Sequence, residues 1–297
     1  MSVLRSLLFA PGNHFRKVEK ALTLDADAVI LDLEDAVAVA EKVPTRETVA
    51  KALSADRRSK GYVRVNAYDT PYCFGDIQAV VGHGLDGIVL PKVETPDQLL
   101  TIDWVITQLE RDRGLDVGMI DLIPIIETGK GLAVVEEIAH SPKRVRRLSF
   151  GAGDFSLDMN IRWTMEEHEL DYARAKIATA SRAARLESPL DTVFIHLGAL
   201  DSLRSSSERA RNFGFQGKLC IHPEQIEPVN QVFSPSSEEI QQAERVAPNG
   251  SRAYFRGICL KKFPKHIYGM SWTSVLFDVG DTTIKRVPLM DLSLIHI

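Results

Sequence analysis

The sequence predicts an α/β fold, a closed parallel (β/α)8 barrel, and three observations carry that expectation. About eight short runs rich in apolar and β-branched residues alternate with longer segments of helical spacing, the sequence form of successive βα units. Most of these runs are apolar throughout, as parallel strands buried on both faces are. No Gly/Ser linker or shift of composition divides the first 246 residues, so one closed sheet accounts for the pattern more economically than an open one.

The expected strands are residues 4–10, 28–33, 62–66, 87–90, 121–126, 148–151, 192–196 and 218–221. The first ends in the turn residues Pro11, Gly12 and Asn13. The second, Ala-Val-Ile-Leu-Asp-Leu, is apolar but for Asp32, and the fifth, through Ile123, Ile125 and Ile126, is near-continuously apolar as well. Between them, helical spacing predicts helices over residues 14–24, 45–54, 74–82, 96–113, 129–140, 165–187, 203–213 and 223–233. In the fifth helix Val135, Ile138 and Ala139 share one face, while Glu136, Glu137 and Lys143 turn outward. After Val246 the character changes. The chain runs through Ala247-Pro248-Asn249-Gly250 into a segment with little helical period. The expected organisation is therefore a barrel domain over 1–246 and an atypical C-terminal tail over 247–297, divergent or non-native in sequence.

Composition narrows the function. With 297 residues, 44% hydrophobic and 26% charged, the chain can bury a full core. A net charge of −4 offers no attraction to nucleic acid. The one basic cluster, residues 143–147, is short, precedes an apolar strand and reads as a solvated loop. Cys73, Cys220 and Cys259 are widely separated and form no CxxC pair, which argues against a zinc cage or a disulfide framework and for a reducing compartment. The 4–10 run is interrupted by Arg5 and Ser6 and does not read as a signal peptide. No apolar run is long enough to span a bilayer. A cytoplasmic protein without membrane contact is expected.

Strand-end polar residues are the candidates for chemistry, because a barrel gathers them around one opening whatever their separation in sequence. Strand two ends in Asp32-Leu33-Glu34-Asp35, strand three in Arg64-Val65-Asn66, strand four in Pro91-Lys92, strand five in Glu127, and strand six in Gly151-Ala152-Gly153-Asp154. Two successive strands thus deliver Glu127 and Asp154 side by side, a pattern that suggests a metal site. Hard cations such as Mg²⁺ take oxygen ligands and keep several waters, so one or two carboxylates suffice. Each residue also has a plainer reading: Glu34 and Asp35 as helix caps, Arg64 as their structural partner, Lys92 as a solvated cation. Together they would crowd like charge at the mouth unless a cation or substrate were bound there.

Competing motifs are weak. Thr128-Gly129-Lys130-Gly131 lacks the upstream glycine and following Ser/Thr of a phosphate loop, and Ser156 stands where a dinucleotide fingerprint needs its third glycine. HExxH and GxSxG are absent. His222, before Pro223, is either a mouth residue or a packed turn residue.

With these phrases assembled, the chain resembles the citrate lyase β-subunit-like lyases of the HpcH/HpaI aldolase superfamily. The resemblance rests on Arg5 to Asn13, Ala26 to Val37, Val63 to Asn66, Leu90 to Glu94, Ile125 to Thr128, Phe150 to Asp154, Gly214 to Lys218 and Ile221 to Pro223, and spans roughly residues 5–246. It implies a TIM barrel that uses Mg²⁺, or Mn²⁺ in its place, to cleave or form a carbon–carbon bond in a 3-hydroxyacyl thioester. Malyl-, citramalyl- or citryl-coenzyme A, or citryl on an acyl carrier protein, are the implied substrates, with a 2-oxo acid as product. By the same resemblance Glu127 and Asp154 are the metal ligands, Arg64 binds the keto-acid end and stabilises negative charge, and Glu34 and Asp35 orient metal-bound water. Pro11, Gly12 and Asn13, with Arg16 and Lys17 behind them, are the implied contacts to the nucleotide end of coenzyme A, and Lys92 is counted with them as a cofactor-binding residue. Homotrimers or hexamers are implied as well.

Two departures qualify the resemblance. His196 and Ala199 stand where the family tends to place acids. The tail offers only Asp278-Val279-Gly280-Asp281 in place of a Gly-Lys-Met-Ile-Asp-like lid phrase that carries a proton-transfer acid. The expected activity is an acyl-CoA lyase of oxo-acid-lyase type. Its alternatives are a citryl-carrier-protein lyase β subunit, a free 2-oxo-acid aldolase of the same superfamily, and a thioester-binding subunit with impaired catalysis.

Overall fold

Eight parallel strands close into a barrel in the computed structural model, which describes residues 4–246 apart from residue 56, together with two short strands near the C-terminus. The strands are β1 (Ser6–Pro11), β2 (Ala28–Asp32), β3 (Lys60–Arg64), β4 (Gly87–Leu90), β5 (Asp121–Ile126), β6 (Ser149–Phe150), β7 (Leu190–Asp191) and β8 (Gly217–Cys220). Each pairs with its sequence neighbour, and β1 closes the ring on β8 with Ser6 opposite Lys218. The helices are α1 (Phe15–Leu22), α2 (Lys42–Leu53), α3 (Cys73–Val80), α4 (Pro96–Asp112), α5 (Gly129–Ala133), α6 (Val135–Ala139), α7 (Ala152–Asp158), α8 (Asp171–Ala183), α9 (Leu200–Phe213) and α10 (Ile226–Phe233). This is the TIM-type architecture the sequence predicts.

The two-residue period of the strands divides the core. Leu7, Ala28, Ile30, Tyr62, Val89, Ile123, Ile125, Leu190 and Leu219 form one buried cluster inside the ring. Their neighbours Leu8, Val29, Leu31, Val63, Ile88, Leu122, Ile126 and Phe150 belong to the larger cluster under the helices. Continuing the inward phase by two places carries Asp32, Arg64 and Glu127 to the carboxyl mouth. Helix starts obey local chemistry: Thr95 and Gln98 form a reciprocal capping box with Pro96 in the first turn of α4.

Several expectations need correction. The seventh strand lies at Leu190–Asp191 rather than 192–196. Leu190 pairs with both Ser149 and Gly217, and beyond it the chain is diverted: the Thr192 hydroxyl accepts the Ala152 N–H and the Phe194 carbonyl accepts the Gln225 side chain. The helix expected at 129–140 is two short helices broken at Val134. The one expected at 165–187 shrinks to α8, because Glu167 takes a left-handed φ of 55° and a 3₁₀ turn follows it. Helix α7 was not anticipated.

The basic cluster is not a solvated loop. Arg144 and Arg147 are buried. Arg144 donates to both oxygens of Glu110 at 2.7 and 2.8 Å and to Asp103, while Arg147 joins Asp121 of β5 to Glu187. Their charges are spent on tying strand and helix ends together.

A second compact unit, Ser234–Ile297, contributes a helix α11 (Ser237–Val246) and two antiparallel strands, β9 (Ser274–Phe277) and β10 (Lys285–Pro288), with Phe277 opposite Lys285. The Asp278 to Asp281 phrase and most of the 247–297 tail lie outside the described residues. Cys73 and Cys220 are buried free thiols, and Cys259 lies outside. Among the described residues no helix is long and apolar enough to cross a membrane.

Asp191 faces outward from β7 and is fully buried between Arg174 and Lys218, at 2.9 and 2.5 Å. Burial opposes its charge, but Arg174 and Lys218 outweigh burial and hold its carboxyl below the ordinary range. Removing it strands the buried Lys218 ammonium and leaves Arg174 with Glu167 as its carboxylate partner. Asp191→Ala is expected to lower stability by about 3–5 kcal/mol in urea unfolding. Because the native pKa is depressed, this contribution is full above the unfolded carboxylate value and is lost as pH falls through the native one.

Candidate active site at the carboxyl mouth of the barrel

Asp32 and Arg64 stand directly opposite each other in the β2–β3 register. Both point inward, and they meet in a two-pronged pair: Nε donates to Oδ1 at 2.7 Å and Nη2 to Oδ2 at 2.6 Å. The same carboxylate accepts the N–H groups of Glu34 and Ala36, so the chain after β2 wraps around it. Burial works against the Asp32 charge, yet Arg64 wins and its pKa is lowered; the guanidinium in turn is held more firmly protonated by Asp32. The guanidinium also packs 4.9 Å from the centroid of the Phe9 ring. Nη1 is left facing the mouth, 3.1 Å from Glu34 Oε2 and 3.4 Å from Asp35 Oδ2.

Glu34 lies between two cations. Its Oε1 accepts from Lys92 Nζ at 2.7 Å. Its Oε2 is buried, close to Arg64 in charge but without an aligned hydrogen bond. Burial raises the Glu34 pKa against the opposing pull of Arg64 and Lys92. Asp35 is exposed at 61% of its side chain.

Lys92 connects the two halves of the site. Its backbone N–H donates to Glu127 Oε1 at 2.7 Å, and its Nζ also reaches Asp154 Oδ2 at 2.7 Å. Burial opposes its charge, but the bonds to Asp154 and Glu34 raise its pKa. It adopts a left-handed φ of 51°. Glu127 is buried, and its pKa is pushed up to about 8, first by burial and then by the charge of Glu34, with Asp154 adding to it. Gly151 makes room for it: a Cβ there would sit 2.4 Å from Glu127 Oε2.

The residues expected at the mouth, Glu34, Asp35, Arg64, Lys92, Glu127 and Asp154, are thus brought into one contact network. The other candidates lie apart from it. The Gly12 N–H donates to the Asp32 carbonyl, and a Cβ on Gly12 would come within 2.6 Å of that oxygen, so this glycine serves close packing of β1 on β2. Asn13 donates to Glu41, Pro11 ends β1, and Arg16 and Lys17 are exposed on α1. His222 is a turn residue, its ring accepting the Glu224 N–H. His196 packs against Phe194 with Nε2 buried and unpartnered. Sequence reasoning passed over Asp32 as a working residue. The phase of Ala28 and Ile30 was the signal that could have found it.

The donor set suits a hard dication. Every anionic group at the mouth is a carboxylate, Glu34 Oε2 is a buried oxygen lacking a hydrogen bond, and the burial and neighbouring charge of Glu34 and Asp154 that raise Glu127 are what a cation would offset. No cluster of three or more metal-type side chains exists among the described residues. A cation here would take its remaining oxygens from substrate and water.

Fold and mouth together define a TIM barrel whose strand ends gather carboxylates, a locked arginine and a lysine around one opening, the place where enzymes of this fold hold their chemistry. The chain belongs to the HpcH/HpaI aldolase/citrate lyase family, whose model matches residues 5–223, and it is a lyase. It is 37% identical to citrate lyase subunit beta of Leuconostoc mesenteroides subsp. cremoris, over 82% of this chain and 80% of that one. It is 32% identical to the L-malyl-CoA/beta-methylmalyl-CoA lyase of Cereibacter sphaeroides, over 85% and 86%. Protein CitE from Mycobacterium tuberculosis, solved in complex with magnesium, acetoacetate and coenzyme A, superposes with a TM-score of 0.67 at 27% identity, covering 83% of this chain and 87% of that one. A short second match, to Pup-ligase protein over residues 227–276, covers too little of the chain to define a family.

The Gly151 cradle gives a direct test of the geometry. Gly151→Ala would force Glu127 off its position, and thermal or denaturant unfolding should register a loss of about 1–3 kcal/mol, the usual cost of overpacking a filled site.

Proposed function

We propose that the protein is a Mg²⁺-dependent carbon–carbon lyase that interconverts a 3-hydroxyacyl-CoA thioester, of the malyl, citramalyl or citryl type, with an acyl-CoA and a 2-oxo acid. The observation that carries this reading is the single network at the mouth, in which Lys92 joins Glu34 to Asp154 and Glu127 while Arg64 is locked by Asp32. Its support from relatives is the similarity to proteins named for citrate and malyl-CoA cleavage and to a structure holding magnesium and coenzyme A.

Glu127 and Asp154 would hold the metal, with Glu34 and Asp35 on the waters around it. A cation held there would supply Lewis acidity, lowering the pKa of a substrate hydroxyl and polarising the oxygen that becomes the 2-oxo group. The chain's own contribution is positioning and charge. Arg64 cannot rotate, because two of its nitrogens are committed to Asp32; its Nη1 is therefore a fixed donor toward the substrate carboxylate and the charge that develops as the carbon–carbon bond opens. Lys92 keeps Glu127 oriented through its backbone N–H and balances the carboxylates through its ammonium. The Pro11 to Asn13 turn with Arg16 and Lys17, at the end of β1, would meet the nucleotide end of coenzyme A. The same cleavage of a thioester carried on an acyl carrier protein is a second reading, favoured by the likeness to a citrate lyase subunit.

Purified protein with Mg²⁺ and a panel of malyl-, citramalyl- and citryl-CoA, and citryl on a carrier protein, should release a 2-oxo acid from at least one. Binding of the esters without turnover would instead mark a thioester-binding subunit. Glu127→Gln with Asp154→Asn should abolish both Mg²⁺ binding in calorimetry and turnover; survival of both would overturn the ligand assignment. Arg64→Ala should raise the barrier by on the order of 3 kcal/mol, read as kcat.

A further inference from the structure

Lys42, the first residue of α2, is a buried ammonium at 8% exposure. Its Nζ donates to the Glu34 carbonyl at 2.8 Å, to the Leu33 carbonyl at 3.2 Å and to Asn66 Oδ1 at 2.6 Å. All three acceptors are neutral, and two are backbone oxygens of the turn that carries Glu34 and Asp35. The N–H groups of that turn, from Glu34 and Ala36, go to the Asp32 carboxylate at 3.0 and 3.1 Å. The turn is thus clamped between opposite charges, an anion on its N–H side and a cation on its carbonyl side.

Asn66 fixes where the cation sits. Its Nδ2 donates to the Leu33 carbonyl at 3.0 Å and to Asp76 Oδ2 at 2.6 Å. Lys42 can only donate and Asp76 only accept, so the amide has one orientation that satisfies both. Asp76 also takes the Asn66 N–H, and its other oxygen is paired with Arg46 at 2.7 Å. A continuous chain of charge-assisted bonds therefore runs from α3 through the end of β3 to the backbone of the β2 turn. The metal-ligand candidates Glu127 and Asp154 take no part in it.

We infer that Lys42 is a positioning residue for the lyase reaction: its ammonium, oriented by Asn66 and Asp76, sets the β2 turn so that the Glu34 carboxylate lies between Arg64 and Lys92. This rests on the proposed function for its kinetic consequence, though not for its structural one. A carboxylate displaced by even an ångström loses much of its catalytic value, since the geometry must match the reacting groups. Neither the carbonyl-side clamp nor its dependence on a cation follows from the metal or from the thioester.

The test is Lys42→Met, which keeps length and removes charge and donors, combined with Glu34→Gln. Lys42→Met is expected to lower kcat roughly 10- to 100-fold, with acyl-CoA KM and calorimetric Mg²⁺ affinity unchanged within about twofold. In the Glu34→Gln background the same substitution should change kcat by less than about twofold, because the group it positions is already disabled. Amide exchange at Glu34 and Ala36 should accelerate about tenfold while the β5 amides keep their protection. Should Lys42→Met fail to fold, Lys42→Gln removes the charge while keeping a donor and carries the same measurements. Full multiplication of the two kcat losses, or unchanged exchange at Glu34 and Ala36, would overturn the inference. Absence of turnover in the wild type on every thioester would overturn the functional reading alone, and the exchange result would still decide whether Lys42 clamps the turn.

Discussion

The pairing of Asp32 with Arg64 inside the barrel is the interaction on which the site depends. Two strands bring the residues opposite each other, and the inward phase shared with Ile30 and Tyr62 makes them face the same space. A carboxylate and a guanidinium taken from water would each be costly alone. Here the fork geometry satisfies both, and the remaining lone pairs of Asp32 take the Glu34 and Ala36 N–H groups. Arg64 is thereby fixed in place and charge, and the turn that carries Glu34 is folded around its partner.

Buried ion pairs recur around this barrel with a different task. Arg174, Asp191 and Lys218 lie between the sheet and α8; Arg144 ties Glu110 of α4 to the loop before β6; Arg147 ties Asp121 of β5 to Glu187. These groups tie helix and loop ends to the sheet, away from the mouth. At the carboxyl mouth the balance differs, since acids outnumber cations there and the Glu127 carboxyl is pushed up to about 8 by burial and by Glu34.

The barrel and most of its mouth were legible in the sequence because both rest on local patterns. Apolar runs such as 28–32 and 121–126 can pair only as buried strands, and their terminal acids follow from the same register. What escaped detection depends on distant partners. Strand β7 is cut to two residues by Asp191, Thr192 and Phe194, whose bonds lead to Arg174, Ala152 and Gln225. The basic run 143–147 looked solvated because the acids that bury Arg144 and Arg147 lie at least 26 residues away. Lys42 escaped as a working residue for the same reason: its meaning is set by Asn66, 24 residues away and just past β3.

Lys92 shows why the mouth cannot be understood as a set of independent side chains. A non-glycine residue at φ 51° carries a cost of order 1–3 kcal/mol, tolerated where the surroundings over-determine it. The surroundings here do so through three bonds. The backbone N–H meets Glu127, and the ammonium at the far end of the same residue meets Glu34 and Asp154. A relaxed backbone would turn the N–H away from Glu127 and leave that buried carboxylate without its donor. One residue in a strained conformation thus links acids from the turn after β2, the end of β5 and helix α7, which no shared element connects.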